Sequence, residues 1–214
     1  MAMLALFALG RGLRSPFSDA PGFSTAHLLP HVLGAAAITA ADFLPFSDHY
    51  KARWILLTVP ASGLRGVVRG TMAALGLMGV IVPSLVLFGA TSALWTVADA
   101  TVFGAYSAAV LAFYIGAFAW MQAGLPFTRP PDPTRAASHM TAMMGILVVA
   151  LVLGAIQAIW VFPHYGRIAA ATAVLATVAW LAGRASTRVL ENRVPDYLRR
   201  FTEGPARMFS VGDG

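Results

Sequence analysis

No cysteine occurs among the 214 residues of this chain. Disulfides, zinc–thiolate sites, iron–sulfur clusters and thiol catalysis are therefore excluded. Charge is scarce too: 11% of residues are charged, against about 25% in an ordinary soluble domain. Lysine occurs once, at Lys51. Nucleotide-binding patterns are missing, with no GxxxxGKS or GxxxxGKT loop and no GxGxxG after a strand-like run. If ATP drives this protein, another chain binds it. No cluster of acids, histidines or serines falls at one depth, as a membrane enzyme requires, so the chain reads as non-enzymatic.

What is abundant is apolar. Apolar residues make up 58% of the chain, more than a globule of this length could hide from water. They gather in four nearly uncharged runs at about 67–90, 94–120, 140–162 and 168–183, with a weaker fifth near 27–46. A bilayer's hydrocarbon core takes roughly 20 apolar residues as helix, and lipid obliges the backbone to satisfy its own hydrogen bonds. The runs predict an all-α polytopic membrane bundle of about five transmembrane helices, at about 27–46, 67–90, 93–122, 139–162 and 167–187. The transmembrane domain is then 27–187, set between an external segment 1–26 and a basic tail 188–214. Met1 to Leu9 is apolar but too short to span, and reads either as a signal-like segment or as the end of a helix that begins upstream.

Basic residues set the orientation. With the 47–66 loop inside, twelve of the fifteen basic residues fall inside and three (Arg11, Arg14 and Arg167) outside. Basic loops stay cytoplasmic, so the N-terminus is expected outside and the C-terminus in the cytoplasm. The net charge of +6 follows from this bias, and nucleic-acid binding is not expected. Alanine- and arginine-rich usage suggests a GC-rich bacterial genome, so the expected location is a bacterial inner membrane. Trp54, Trp95, Trp120, Trp160 and Tyr165 fall near span ends, where amphipathic rings favour the headgroup level. Trp180 is the exception, nearer the body of its span. Pro83 predicts a kink in the second span, and the helix near 27–46 is expected to be interrupted at Pro30. Four prolines between Pro126 and Pro133 forbid regular structure there.

Polar residues within the spans are the first candidates for function. An ionised Asp at the bilayer centre costs about 2.5–3.5 kcal/mol on insertion scales. Asp42 lies near the inner end of the first span and Asp99 about two turns into the third. Each reads either as part of a polar pathway or helix-pairing contact, or as a wetted interfacial acid. Gln157, near the outer end of the fourth span, is the expected partner of Asp99. His27 and His31 stand four apart, a spacing that suits a metal on a continuous helix. Pro30 lies between them and no carboxylate completes the set, so no metal site is expected. His49, His139 and His164 lie at span ends or in loops, so haem or pigment ligation is not expected either. Lipid is the one cofactor-like ligand foreseen. Gly104 with Ala108, and Ala169 with Ala173 and Ala176, have the small-residue spacing that lets helices approach in lipid.

The segment 47–66 carries the most distinctive pattern. Charges at Asp48, Lys51 and Arg53 come first, then Trp54 and the aliphatic run to Leu57, then a Pro60-Ala61-Ser62 turn, then Arg65. That order predicts a short amphipathic helix at the cytoplasmic surface. Lys51, Arg53, Trp54, Leu57, Pro60 and Arg65 are its candidate docking residues. The segment, followed by a long span with an internal proline, resembles the cytoplasmic stretch of bacterial ABC-type exporter permeases. The likeness covers about residues 40–190, as the C-terminal half of a longer permease. It implies a subunit that moves a lipid, peptide or drug, powered by a separate cytoplasmic ATPase. The low polarity of the spans sustains a second reading, a non-catalytic subunit of a large respiratory or photosynthetic membrane complex that binds lipids or pigments and stabilises its neighbours.

Overall fold

A computed structural model describes residues 14–17, 23–46, 49, 55–121 and 135–203. Among them every regular element is helical. A 3-10 turn, Thr25–Leu28, leads into α1 (Leu29–Phe43). A one-turn helix α2 (Ile55–Thr58) precedes α3 (Ala61–Gly76), a π turn (Leu77–Ile81) and α4 (Val82–Ser92). Then come α5 (Val97–Met121), α6 (Arg135–Ile156) with a π turn at Gln157–Val161, and α7 (Tyr165–Glu203). Between α6 and α7 the Phe162–Pro163 bond is cis.

Local chemistry explains the boundaries. Ser24 caps the 3-10 turn: its hydroxyl accepts from the Ala26 N–H at 3.2 Å, and its own N–H donates to His27 Nδ1 at 3.1 Å. Pro30 does not interrupt the helix that follows. It occupies the first turn of α1, where a backbone N–H has no helical partner to lose. Thr96 caps α5 by accepting the Asp99 N–H at 3.2 Å. Pro83 is absorbed by a π turn just ahead of it: the Val82 N–H reaches back five residues to the Leu77 carbonyl. The wider turn takes up the carbonyl clash that proline brings to a regular helix.

Among the described residues three stretches are long and apolar enough to cross a membrane: Gly63–Ser92, Val97–Gly116 and Tyr165–Arg193. Thr25–Ala41 and Leu147–Val161 are shorter apolar helices. The three long stretches differ in burial, with 56% of the α5 window inside the protein against 17% for α3–α4 and 11% for α7. α5 is the axis of the bundle; α7 is its most extensive partner, and α1 and α4 pack on its other sides. An evenly apolar helix belongs in such a position. The outer helices turn Met78, Leu85, Val86, Val152, Ile159 and Val174 outward, each more than half exposed. A water-soluble surface rarely carries apolar patches of that extent; lipid accepts them.

Glycines set how closely the helices approach. A Cβ at Gly34 in α1 would lie 2.6 Å from the Tyr114 ring, and one at Gly116 in α5 would lie 3.0 Å from the Ala179 carbonyl oxygen of α7. The alanine row expected to pack helices, Ala169, Ala173 and Ala176, faces outward instead. The buried row of α7 is Ile168, Ala179, Ser186 and Leu190. Small size made the first row look like a contact face, but the position of α5 selects the second. Trp180 lies on the outer surface of α7. It is 55% exposed, with the Arg184 guanidinium 4.1 Å from its ring centroid. That arrangement suits an interface level. Beyond residue 187, the expected end of the span, the helix continues to Glu203, which adds about 24 Å at about 1.5 Å per residue.

Gly34→Ala should therefore lower stability by about 1–3 kcal/mol through overpacking against Tyr114. Gly66→Ala, which has nothing within 4 Å of its added carbon, should leave the melting temperature in detergent micelles unchanged or raised.

Candidate functional site

Two places in the bundle gather polar chemistry. One lies at the amino-terminal end of α3. Here Pro60 is extended (φ −60°, ψ 154°), and its carbonyl accepts the N–H groups of Gly63 at 2.8 Å and Leu64 at 3.2 Å. A Cβ at Gly63 would lie 2.5 Å from Val59 Cγ1, so a larger residue there would force the Val59 side chain to shift. The turn folds α2 back on α3, and Leu56 and Val59 pack on Leu64, Val68 and Leu190. Leu190 belongs to α7, so α2, α3 and α7 share one small apolar cluster.

Charge surrounds that cluster. Arg65 and Arg69 are exposed on α3, as are Arg184, Arg188 and Arg193 on α7. Arg69 Nε donates to Glu191 Oε1 at 2.7 Å, tying α3 to α7. This pair sits at the protein surface, where salt bridges contribute little. The apolar cluster beneath it is the firmer tie. Of the candidate docking residues, Pro60 and Arg65 lie exposed at this place and Leu57 lies within α2. The Leu57 side chain, and Lys51, Arg53 and Trp54 altogether, lie outside the described residues.

A second polar group lies buried inside the bundle. His31 on α1, Tyr114 on α5 and Gln157 in the π turn after α6 are 2%, 6% and 5% exposed. The Gln157 amide donates to His31 Nε2. The ring proton then sits on Nδ1, which lies 3.0 Å from the Tyr114 hydroxyl and donates to it. One imidazole thus joins three helices. Gln157 Oε1 and His27 Nε2 are buried with no hydrogen-bond partner among the described residues.

Gln157 does not meet Asp99. Asp99 lies in the first turn of α5, not two turns in, because the helix begins at Val97. There its charge faces the positive end of the helix dipole, and its carboxylate accepts from the Tyr165 hydroxyl. Phe17 stacks on Tyr165 at 4.9 Å, and His27 meets Phe162 edge-on at 5.0 Å. Asp42 falls in the last turn of α1, its side chain outside the described residues. Among the described residues no three His, Asp or Glu side chains are grouped as metal ligands.

His31 lies inside the bundle and not at the boundary expected from its place in the sequence, and Tyr114 joins it there. A tyrosine deep in an apolar span was the available signal, since its hydroxyl seeks a partner when buried. Gln157 was found, but its partner lay on another helix.

Between α1 and the α3–α4 helix runs an open cleft of about 630 Å3, lined by Ala36, Ala40, Gly70, Ala74, Gly79 and Ile115 among others. The hydroxyl of Thr71 on its wall is already donated to the Val67 carbonyl at 2.9 Å, so that side chain has no donor left to offer.

Comparison with protein families, curated proteins and solved structures finds no match to this chain.

Tyr114→Phe keeps the ring and removes the hydroxyl, leaving His31 Nδ1 without its partner. It should cost about 1–2 kcal/mol. Gln157→Leu should cost a similar amount. The double variant should lose less than the sum, as thermal melting in one detergent will report. Asp99→Asn keeps a carbonyl oxygen for Tyr165 and should melt within about 0.5 kcal/mol of the parent.

Proposed function

We propose that this chain is a permease-like membrane subunit that moves a lipid, peptide or drug, driven by an ATPase on a separate polypeptide. The observation that carries the reading is the cluster of Leu56 and Val59 on Leu64, Val68 and Leu190. Through it, a force applied to the segment before α3 reaches α3 and α7 together. α7 in turn is the most extensive partner of the buried α5. A docked ATPase could in this way bias the arrangement of the whole bundle. In this reading the five apolar helices all span a bacterial inner membrane, with the N-terminus outside and the C-terminus in the cytoplasm. The chain itself carries no catalytic residues and holds no resident cofactor beyond lipid. Lys51, Arg53, Trp54, Leu57, Pro60 and Arg65 form the docking face.

A second reading has its own support. The cleft between α1 and the α3–α4 helix is walled by small residues, the surface on which a neighbouring membrane helix packs closely. That suits a non-catalytic subunit of a larger membrane complex.

Affinity purification from native membranes in mild detergent separates the two. The permease reading expects a nucleotide-hydrolysing partner in stoichiometric amount, lost in Arg65→Glu while the bundle keeps its helical content by circular dichroism. Respiratory or photosynthetic subunits in place of an ATPase would overturn it. Protease added to sealed cells should leave the segment after Glu203 intact; cleavage there would reverse the proposed orientation.

A further inference from the structure

The face of α7 turned away from α5 carries a second pattern, one that ATP-driven transport does not use. Ser186 defines the inward face, donating its hydroxyl to the Gly116 carbonyl at 3.2 Å. Trp180, Arg184 and Arg188 run along the opposite side at intervals of four residues, and all three are exposed. Side chains so spaced are neighbours, with Cβ atoms about 5–6 Å apart. Arg184 lies over the Trp180 ring at 4.1 Å, which holds its guanidinium at the level of the ring. Around Trp180 the exposed surface is aliphatic, with Val174 and Val178 ahead of it at 63% and 41% and Leu181 just after it at 54%. Along the helix, then, come aliphatic surface, an indole and two guanidinium groups. This is the order of a leaflet read from hydrocarbon through interface to headgroup.

Neither arginine has a carboxylate partner among the described residues, since the ion pair of Glu191 is with Arg69. We propose that Trp180, Arg184 and Arg188 form a binding site for the phosphate headgroup of an anionic phospholipid in the leaflet at the carboxyl-terminal end of α7. Planar guanidinium forks match phosphate oxygens in pairs. Two forks about one helical turn apart bracket a single phosphodiester, while its acyl chains lie on Val178, Leu181 and Val174. A zwitterionic lipid brings its own cation to the same place and is disfavoured. The site requires that α7 cross the membrane, but it requires neither transport nor an ATPase.

The test uses the full chain purified in neutral detergent micelles. Native mass spectrometry compares retention of phosphatidylglycerol with that of phosphatidylcholine of the same acyl chains, and free glycerol phosphate serves as competitor. Phosphatidylglycerol should be retained preferentially. Arg184→Gln and Arg188→Gln should each reduce that preference about fivefold, and the pair about thirtyfold, as expected for two juxtamembrane cations. Arg193→Gln, which lies off the row, should leave it unchanged. Unchanged helical content by circular dichroism separates a lost site from a lost fold. Equal retention of the two lipids, a double variant with undiminished preference, or full displacement by glycerol phosphate would each overturn the proposal. An acidic protein as the true occupant of this face would show itself through the first of these. Because the measurement is made in micelles, it does not depend on the orientation or the transport role proposed above.

Discussion

Lipid removes the force that assembles soluble proteins. Hydrocarbon tails are as apolar as leucine, so helices in a bilayer gain little by hiding apolar faces from them. What remains is close backbone approach and polar contact. In this bundle both converge on α5. Gly116 brings the α7 backbone against it, so close that an added Cβ would press on the Ala179 carbonyl oxygen at 3.0 Å. Gly34 lets α1 lie on the Tyr114 ring, and Gly79 brings the π turn against Ile115. Remove α5 and no two of the remaining helices retain a comparably extensive contact.

The two ends of the bundle are built from different chemistry. At one end rings gather around Phe17: it rests on Phe162 and Tyr165, and Trp95 meets Phe103 edge-on at 5.1 Å. Two of the polar groups nearby are held in local bonds, Asp99 by Tyr165 and Ser24 by His27. At the other end the groups are ionic and open, with five exposed arginines and the Arg69–Glu191 pair. Between them, the His31–Tyr114–Gln157 contact is the buried polar tie among three helices, and its members sit on α1, α5 and the π turn after α6.

Part of the candidate site could be read directly from residue order. The sequence from Pro60 through Arg65 signals a turn and a basic helix start, and the helix does begin at Ala61. Gln157 is a lone amide in an apolar run, so its need for a partner was visible. The identity of that partner was not, because hydrogen bonds between helices depend on rotation about each axis. The π turn at Gln157–Val161 shifts that rotation, and nothing in the local composition announces it. Asp99 shows the reverse error. Its depth was measured from the start of an apolar run, whereas a Thr96 cap sets the true first turn.

By itself, the sequence determined that the chain is helical and belongs in lipid. Run length and the scarcity of charge leave the backbone no other way to satisfy its hydrogen bonds in hydrocarbon. Only the tertiary structure decided which helix lies at the centre, which row of α7 is inside, and which polar side chains meet. All apolar helices look alike to a bilayer. Their order in space follows from small differences in shape, such as a missing Cβ at Gly116 or a ring at Tyr114, which take effect only once another helix is beside them.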